Sequence, residues 1–102
     1  MSVVERIVGD RRQQVLTSLN EMANHMLNED VILRAVIMTG REIDHDILRD
    51  DLTFLQARGC VRIEKMARGN GGDLWKVVLT DMGRRVVYGE QTIAGVARAT
   101  VN

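Results

Sequence analysis

The sequence predicts a small α+β domain, with three helices followed by a two-stranded hairpin and a short closing helix. Three observations predict it. Apolar residues recur at helical spacing through the first half of the chain. The period switches to two just after Cys60, as it does where a half-buried strand begins. A stretch rich in glycine then separates two strand-like runs, and a Thr-Asp pair follows the second run and can cap a helix.

The first helix is expected from Val3 to Leu27. Val4, Ile7 and Val8 open its apolar stripe, and Val15, Leu16, Leu19, Met22, Ala23 and Met26 continue it. Gly9-Asp10 marks a candidate break, where Asp10 could cap a second start. The run Val31-Ile32-Leu33-Arg34-Ala35-Val36-Ile37-Met38 is apolar almost all round. Its periodicity fits a buried helix or a buried strand equally well. Asn28, Glu29 and Asp30 before it and Gly40 after it favour a helix, because they supply caps at both ends. A helix apolar on every side needs cover on every side, and a second subunit could provide part of it. A tight turn around Thr39-Gly40-Arg41 leads to the third helix, over residues 44–58. Asp44 caps it, Asp46 lies in its first turn, and Leu48, Leu52 and Leu55 form its stripe beside Ile47 and Phe54.

Gly59 stops that helix, and Cys60-Val61-Arg62-Ile63-Glu64-Lys65 alternates as a strand. A second strand is expected over residues 74–80. Between them, Asn70-Gly71 offers the positive backbone angles of a tight hairpin. Thr80-Asp81 caps a last helix over residues 82–88, which Gly89 ends. Residues 1–89 are expected to form the domain. Residues 90–102 follow as a tail with no assignable pattern.

The 102 residues suit one domain, and an apolar share of 45% suffices for one core. Phe54, Trp75 and Tyr88 are the sole aromatics, so that core must be built from Val, Ile, Leu and Met. No apolar run approaches the roughly 20 residues a membrane span needs. Glu5, Arg6 and Asp10 do not suit a secretory leader, so a cytoplasmic protein is the expectation. The single cysteine excludes an internal disulfide. Net charge is zero, from 14 basic and 14 acidic groups. Residues 59–88 carry six basic against three acidic groups, so any positive face should come from there.

Two stretches resemble the winged helix-turn-helix superfamily. Leu48-Arg49-Asp50-Asp51-Leu52-Thr53-Phe54-Leu55-Gln56-Ala57-Arg58-Gly59-Cys60-Val61 is similar to the end of a recognition helix entering its first wing strand. Val77-Val78-Leu79-Thr80-Asp81-Met82-Gly83 is similar to the strand-to-helix turn of MarR-like and PadR-like regulators. The resemblance covers about residues 10–89. The paired-cysteine motif of ArsR-like metal sensors is missing from the recognition helix. Size, wing pattern and the tail Gly89-Glu90-Gln91-Thr92-Ile93-Ala94-Gly95-Val96-Ala97-Arg98 also resemble a small winged-helix protein of Mu-like prophages.

The superfamily resemblance implies binding to double-stranded DNA by a homodimer, in transcription regulation or phage DNA metabolism. Helix three would enter the major groove with His45, Arg49, Thr53 and Gln56 outward. Arg49 suits a guanine edge and Gln56 an adenine edge. Arg41, Lys65, Arg68 and Lys76 would meet phosphates, and Arg84 and Arg85 could join them. Against this stand Asp44, Asp46, Asp50 and Asp51, which a phosphate-lined groove would repel. Capping accounts for the first two and a solvated helix face for the second two. An alternative is therefore a protein-interaction or assembly module whose acidic helix over residues 44–58 docks a partner. A positive strip from Arg41 through Lys65, Arg68 and Lys76 would favour DNA, and aspartates breaking it would favour a protein. No catalytic constellation, metal-ligand spacing or cofactor motif is present in the sequence, and no enzyme activity is expected.

Overall fold

The computed structural model describes residues 2–99. Its elements are α1 (Val3–Asn20), β1 (Met26–Asn28), α2 (Glu29–Met38), α3 (His45–Ala57), β2 (Val61–Ala67), β3 (Asp73–Leu79) and α4 (Asp81–Val87). The strands form one antiparallel sheet in the order β1-β3-β2. Three helices, a β-hairpin and a closing helix in this order make a winged-helix architecture, with the hairpin of β2 and β3 as the wing.

The expected first helix ends early. Its spacing suggested continuation to Leu27, but the chain leaves the helix after Asn20 and turns at His25, whose φ is 53°. Met26–Asn28 then pairs with the free edge of β3, Met26 opposite Val78 and Asn28 opposite Lys76. Without these residues β3 would carry unpaired amides and carbonyls on that edge. Pairing in the sheet outweighs three residues of local helical propensity. Asn28 then accepts from the Val31 amide at 3.0 Å and starts α2 as its cap.

The candidate break at Gly9-Asp10 is also corrected, because α1 runs through it unbroken. Gly9 permits a close approach. A Cβ there would lie 3.2 Å from the Ala97 nitrogen, whose amide donates to the Gly9 carbonyl at 3.0 Å. The segment after α4 thus lies along α1, with Val96 buried and Ile93 against the core. Asp10 caps nothing and pairs with Arg41 instead.

Capping elsewhere follows the sequence. Asp44 accepts from the Ile47 amide and Thr80 from the Gly83 amide. Gly59, at φ 78°, ends α3, and the Cys60 and Gly59 amides bond back to the Leu55 and Gln56 carbonyls. The wing turn is longer than a two-residue hairpin. β2 and β3 stay paired to Ala67 and Asp73, residues 68–72 form the loop, and Gly71 alone within it has positive φ.

The core is aliphatic. Val15, Leu16 and Leu19 of α1 meet Ile32 and Val36 of α2, Leu48, Leu52 and Leu55 of α3, and Val77 and Leu79 of β3. Each fully buried Leu or Ile contributes about 1.5–3 kcal/mol of transfer free energy. Cys60 lies in the same core, where burial pushes its thiol pKa up and keeps it unreactive. α2 does not find cover on every side, since Val31, Ile37 and Met38 are exposed.

Candidate functional site

α2, α3 and the wing meet around one buried carboxylate. Glu29 provides that carboxylate. It is fully buried at the first turn of α2 and joins three elements. Its carboxylate accepts from Arg49 Nε at 2.7 Å and Nη2 at 2.8 Å, and from the Trp75 amide at 2.6 Å. Burial alone pushes the Glu29 carboxyl pKa up. The Arg49 guanidinium and the Trp75 amide together outweigh it and leave the group below its ordinary value. Arg49 also donates to the Asp73 carbonyl at 3.0 Å and stacks over the Trp75 ring at 4.5 Å. Its guanidinium therefore braces α3 against α2 and the wing, and is not extended into solvent.

The neighbouring candidates are engaged in similar ways. Asp30 accepts from His45 Nε2 at 2.8 Å and from Arg68 Nη2 at 3.1 Å, and both hold its carboxyl below the usual range. Arg41 makes a two-pronged contact to Asp10, at 2.6 and 3.0 Å, which lowers the Asp10 pKa. Lys76 meets Glu64 at 3.2 Å across the wing strands. Gln56 accepts from the Ile63 amide at 2.9 Å, and the Thr53 hydroxyl donates back to the Arg49 carbonyl at 2.8 Å. Lys65 lies over the other part of this cluster, 5.0 Å from the centre of the Trp75 ring. The fold thus gathers His45, Arg49, Arg68, Trp75 and Lys65 around Glu29 and Asp30, whereas Arg41 sits apart against α1. Arg84 and Arg85 are held by Asp81 on α4.

What α3 presents to solvent is acidic. Asp46 and Asp50 are exposed, Glu42 and Asp44 are exposed just before them, and among the described residues none of these four is in an ion pair. The reading of Asp51 as part of a solvated face is corrected. Asp51 is 1% exposed and accepts from Arg11 Nε at 2.6 Å and Nη2 at 3.0 Å, and from Arg12 Nε at 3.1 Å. That contact raises the Arg11 pKa. It sits in the stripe with Leu48, Leu52 and Leu55, at the spacing that turns a helix face inward. This phase relation was the available sign that Asp51 and Asp50 do different things. No comparable sign marks Glu29, because a carboxylate in a first helical turn is also what the dipole favours.

Among the described residues no three His, Cys, Asp or Glu side chains converge as a metal site, and no helix is long and apolar enough to cross a membrane.

No family model matches the chain. An uncharacterized protein of Haemophilus influenzae (strain ATCC 51907 / DSM 11121 / KW20 / Rd) is 35% identical over 69 residues, which span 68% of this chain and 67% of the relative. The uncharacterized protein gp26 of Escherichia phage Mu is 30% identical over 92 residues, 90% of each chain. Among solved structures, the complex structure of hsRosR-S1 superposes with a TM-score of 0.64 at 22% identity, over 82% of this chain and 70% of that one. The complex structure of hsRosR-S4 gives 0.61 at 23%, over 76% and 62%. These likenesses support the winged-helix fold, and the near full-length match to the phage protein carries the relationship. The chain belongs to the family of the phage Mu protein gp26.

Proposed function

We propose that the chain is a winged-helix docking module of Mu-like phages, acting by binding and not by catalysis, whose acidic α3 face receives a basic segment of a partner protein inside the cell. One observation carries this reading. Asp46 and Asp50 are exposed on α3 and, among the described residues, neither is in an ion pair, while Arg41, Arg49, Arg68 and Lys76 are held by Asp10, Glu29, Asp30 and Glu64 respectively. A duplex contact needs cations free to replace counter-ions, and acids in the groove are repelled by phosphate. The positive strip expected from Arg41 through Lys65, Arg68 and Lys76 is interrupted at each paired member.

A second reading is DNA binding led by the wing, in transcription regulation or phage DNA metabolism. Lys65 and Arg58 favour it, because both are exposed, rest over aromatic rings and are in no ion pair among the described residues. The fold is compatible with it, but fold alone does not assign function.

The test is titration of the purified protein with random-sequence duplex DNA and with a fluorescein-labelled lysine-rich peptide, from low to physiological salt. The docking reading expects peptide binding that Asp46→Asn with Asp50→Asn abolishes, and no retention of DNA. Salt-sensitive DNA binding with a log–log slope of about −2 to −3, weakened by Lys65→Ala, would overturn it in favour of the second reading.

A further inference from the structure

An open groove of about 610 Å³ runs between the first turns of α1 and the segment after α4. Two bonds fix that segment as its second wall. The Ala97 amide donates to the Gly9 carbonyl at 3.0 Å, and Arg12 Nη1 donates to the Gly95 carbonyl at 3.2 Å. Val4 and Val8, one helical turn apart, line the groove from α1, and Ile93 and Val96 line it from the other side. Arg6, Arg12 and Arg98 also line it, against a single acid among the described residues, Glu5. Arg6, Arg98 and Glu5 are exposed and in no ion pair among the described residues. Arg12 shares Asp51 with Arg11, so two guanidiniums meet one carboxylate and one positive charge is left over. Aliphatic walls are thus joined to an excess of guanidinium.

We propose that this groove is a binding site for a free aliphatic carboxylate of the fatty-acid class. Pockets that take small ligands span about 300–1,000 Å³ and combine apolar walls with a few convergent polar groups, as this one does. The headgroup follows from charge. A guanidinium presents paired N–H donors that match the two oxygens of a carboxylate, and Arg12 has donors beyond those that reach Asp51 and Gly95. The tail follows from the walls. No aromatic ring among the described residues lines the groove, so a planar ligand would find nothing to stack on. A flexible chain can instead follow the valine and isoleucine side chains along an open channel and remove them from water. No residue of α2, α3 or the wing lines the groove, so the site stands independently of what those elements bind.

Titration of the isotope-labelled chain with sodium octanoate, followed by amide chemical shifts, tests this. Shifts should move at residues 4–9 and 92–98 and stay fixed at Val31, Ile37 and Met38, the exposed apolar positions of α2. Octan-1-ol lacks the ionised head and should bind at least about tenfold more weakly than octanoate, and octyltrimethylammonium should not bind. Arg6→Ala with Arg98→Ala should weaken octanoate binding by at least about tenfold. Both side chains are exposed, so the far-ultraviolet circular dichroism of that variant should match wild type. A chain whose spectrum octanoate leaves unchanged overturns the proposal. Equal binding of the alcohol, or shifts centred on α2, overturns it too, since either marks unselective adsorption to apolar surface. Retention on phosphatidylglycerol vesicles with no response to octanoate would overturn the free acid in favour of a lipid surface.

Discussion

Replacing Glu29 with glutamine should cost about 3 kcal/mol. The figure follows from the contacts. The carboxylate is fully buried and accepts two hydrogen bonds from Arg49 and one from the Trp75 amide. Removing one member of a buried ion pair costs about 3–5 kcal/mol, because the other charge is left without its partner. Two features place Glu29→Gln at the lower end. Arg49 is 35% exposed and can turn towards water, and the glutamine oxygen can still accept from the Trp75 amide. Its NH2 group, however, then faces a guanidinium that can only donate. For a domain of this size the loss corresponds to roughly 12–24 °C in Tm. Trp75 is the sole tryptophan and touches both partners, so its fluorescence reports urea unfolding directly. The midpoint should fall with an unchanged slope, and a double-mutant cycle with Arg49→Ala should return a coupling of about 2 kcal/mol. A loss below about 1 kcal/mol would refute the reasoning, since it would mean that water already solvates the carboxylate.

Two further outcomes follow from the same packing. Gly83→Ala should destabilise by about 3 kcal/mol or more in urea titrations, because a Cβ there would press on the Cys60 carbonyl and lie 2.6 Å from Leu79 Cδ1; a loss below 1 kcal/mol would show that α4 can slide. Stability should hold above about pH 5.5 and decline below about 4.5. Glu29 and Asp10 have folded pKa values below their unfolded ones. Their contribution is thus complete above the unfolded pKa and is lost as pH falls through the folded one. In thermal melts, the acid-side slope should shrink in Glu29→Gln, and a midpoint that rises on acidification would contradict the assignment.

The resemblance to a prophage winged-helix protein lies in size, the helix-three and wing pattern and the tail, and the match to the phage Mu protein is consistent with it. The glycine in Leu79-Thr80-Asp81-Met82-Gly83 belongs to the resemblance to MarR-like and PadR-like regulators, and the sequence does not show its reason. Gly83 is there because α4 passes against the start of β2. His45, Arg49, Thr53 and Gln56 are outward positions of α3 by spacing, yet each side chain is hydrogen-bonded within the molecule. A sequence gives a residue's azimuth on its own helix, not the acid that another element brings to it.

Local rules acting over a few residues determined much of this protein. The caps Asn28, Asp44 and Thr80, the stop at Gly59, the α3 stripe and the alternation into the wing are satisfied by neighbours within about five positions, so the sequence carries them. The tertiary structure decided what depends on distant partners. The free edge of β3 drew Met26–Asn28 out of a helical pattern, and the Ala97 amide gave Gly9 its role. Arg11 and Arg12, some 40 positions away, turned Asp51 into a buried anchor while adjacent Asp50 stayed in water. Whether α3 offers cations or acids was decided at the same level, when Glu29 and Asp30 on α2 engaged the bases of α3 and the wing.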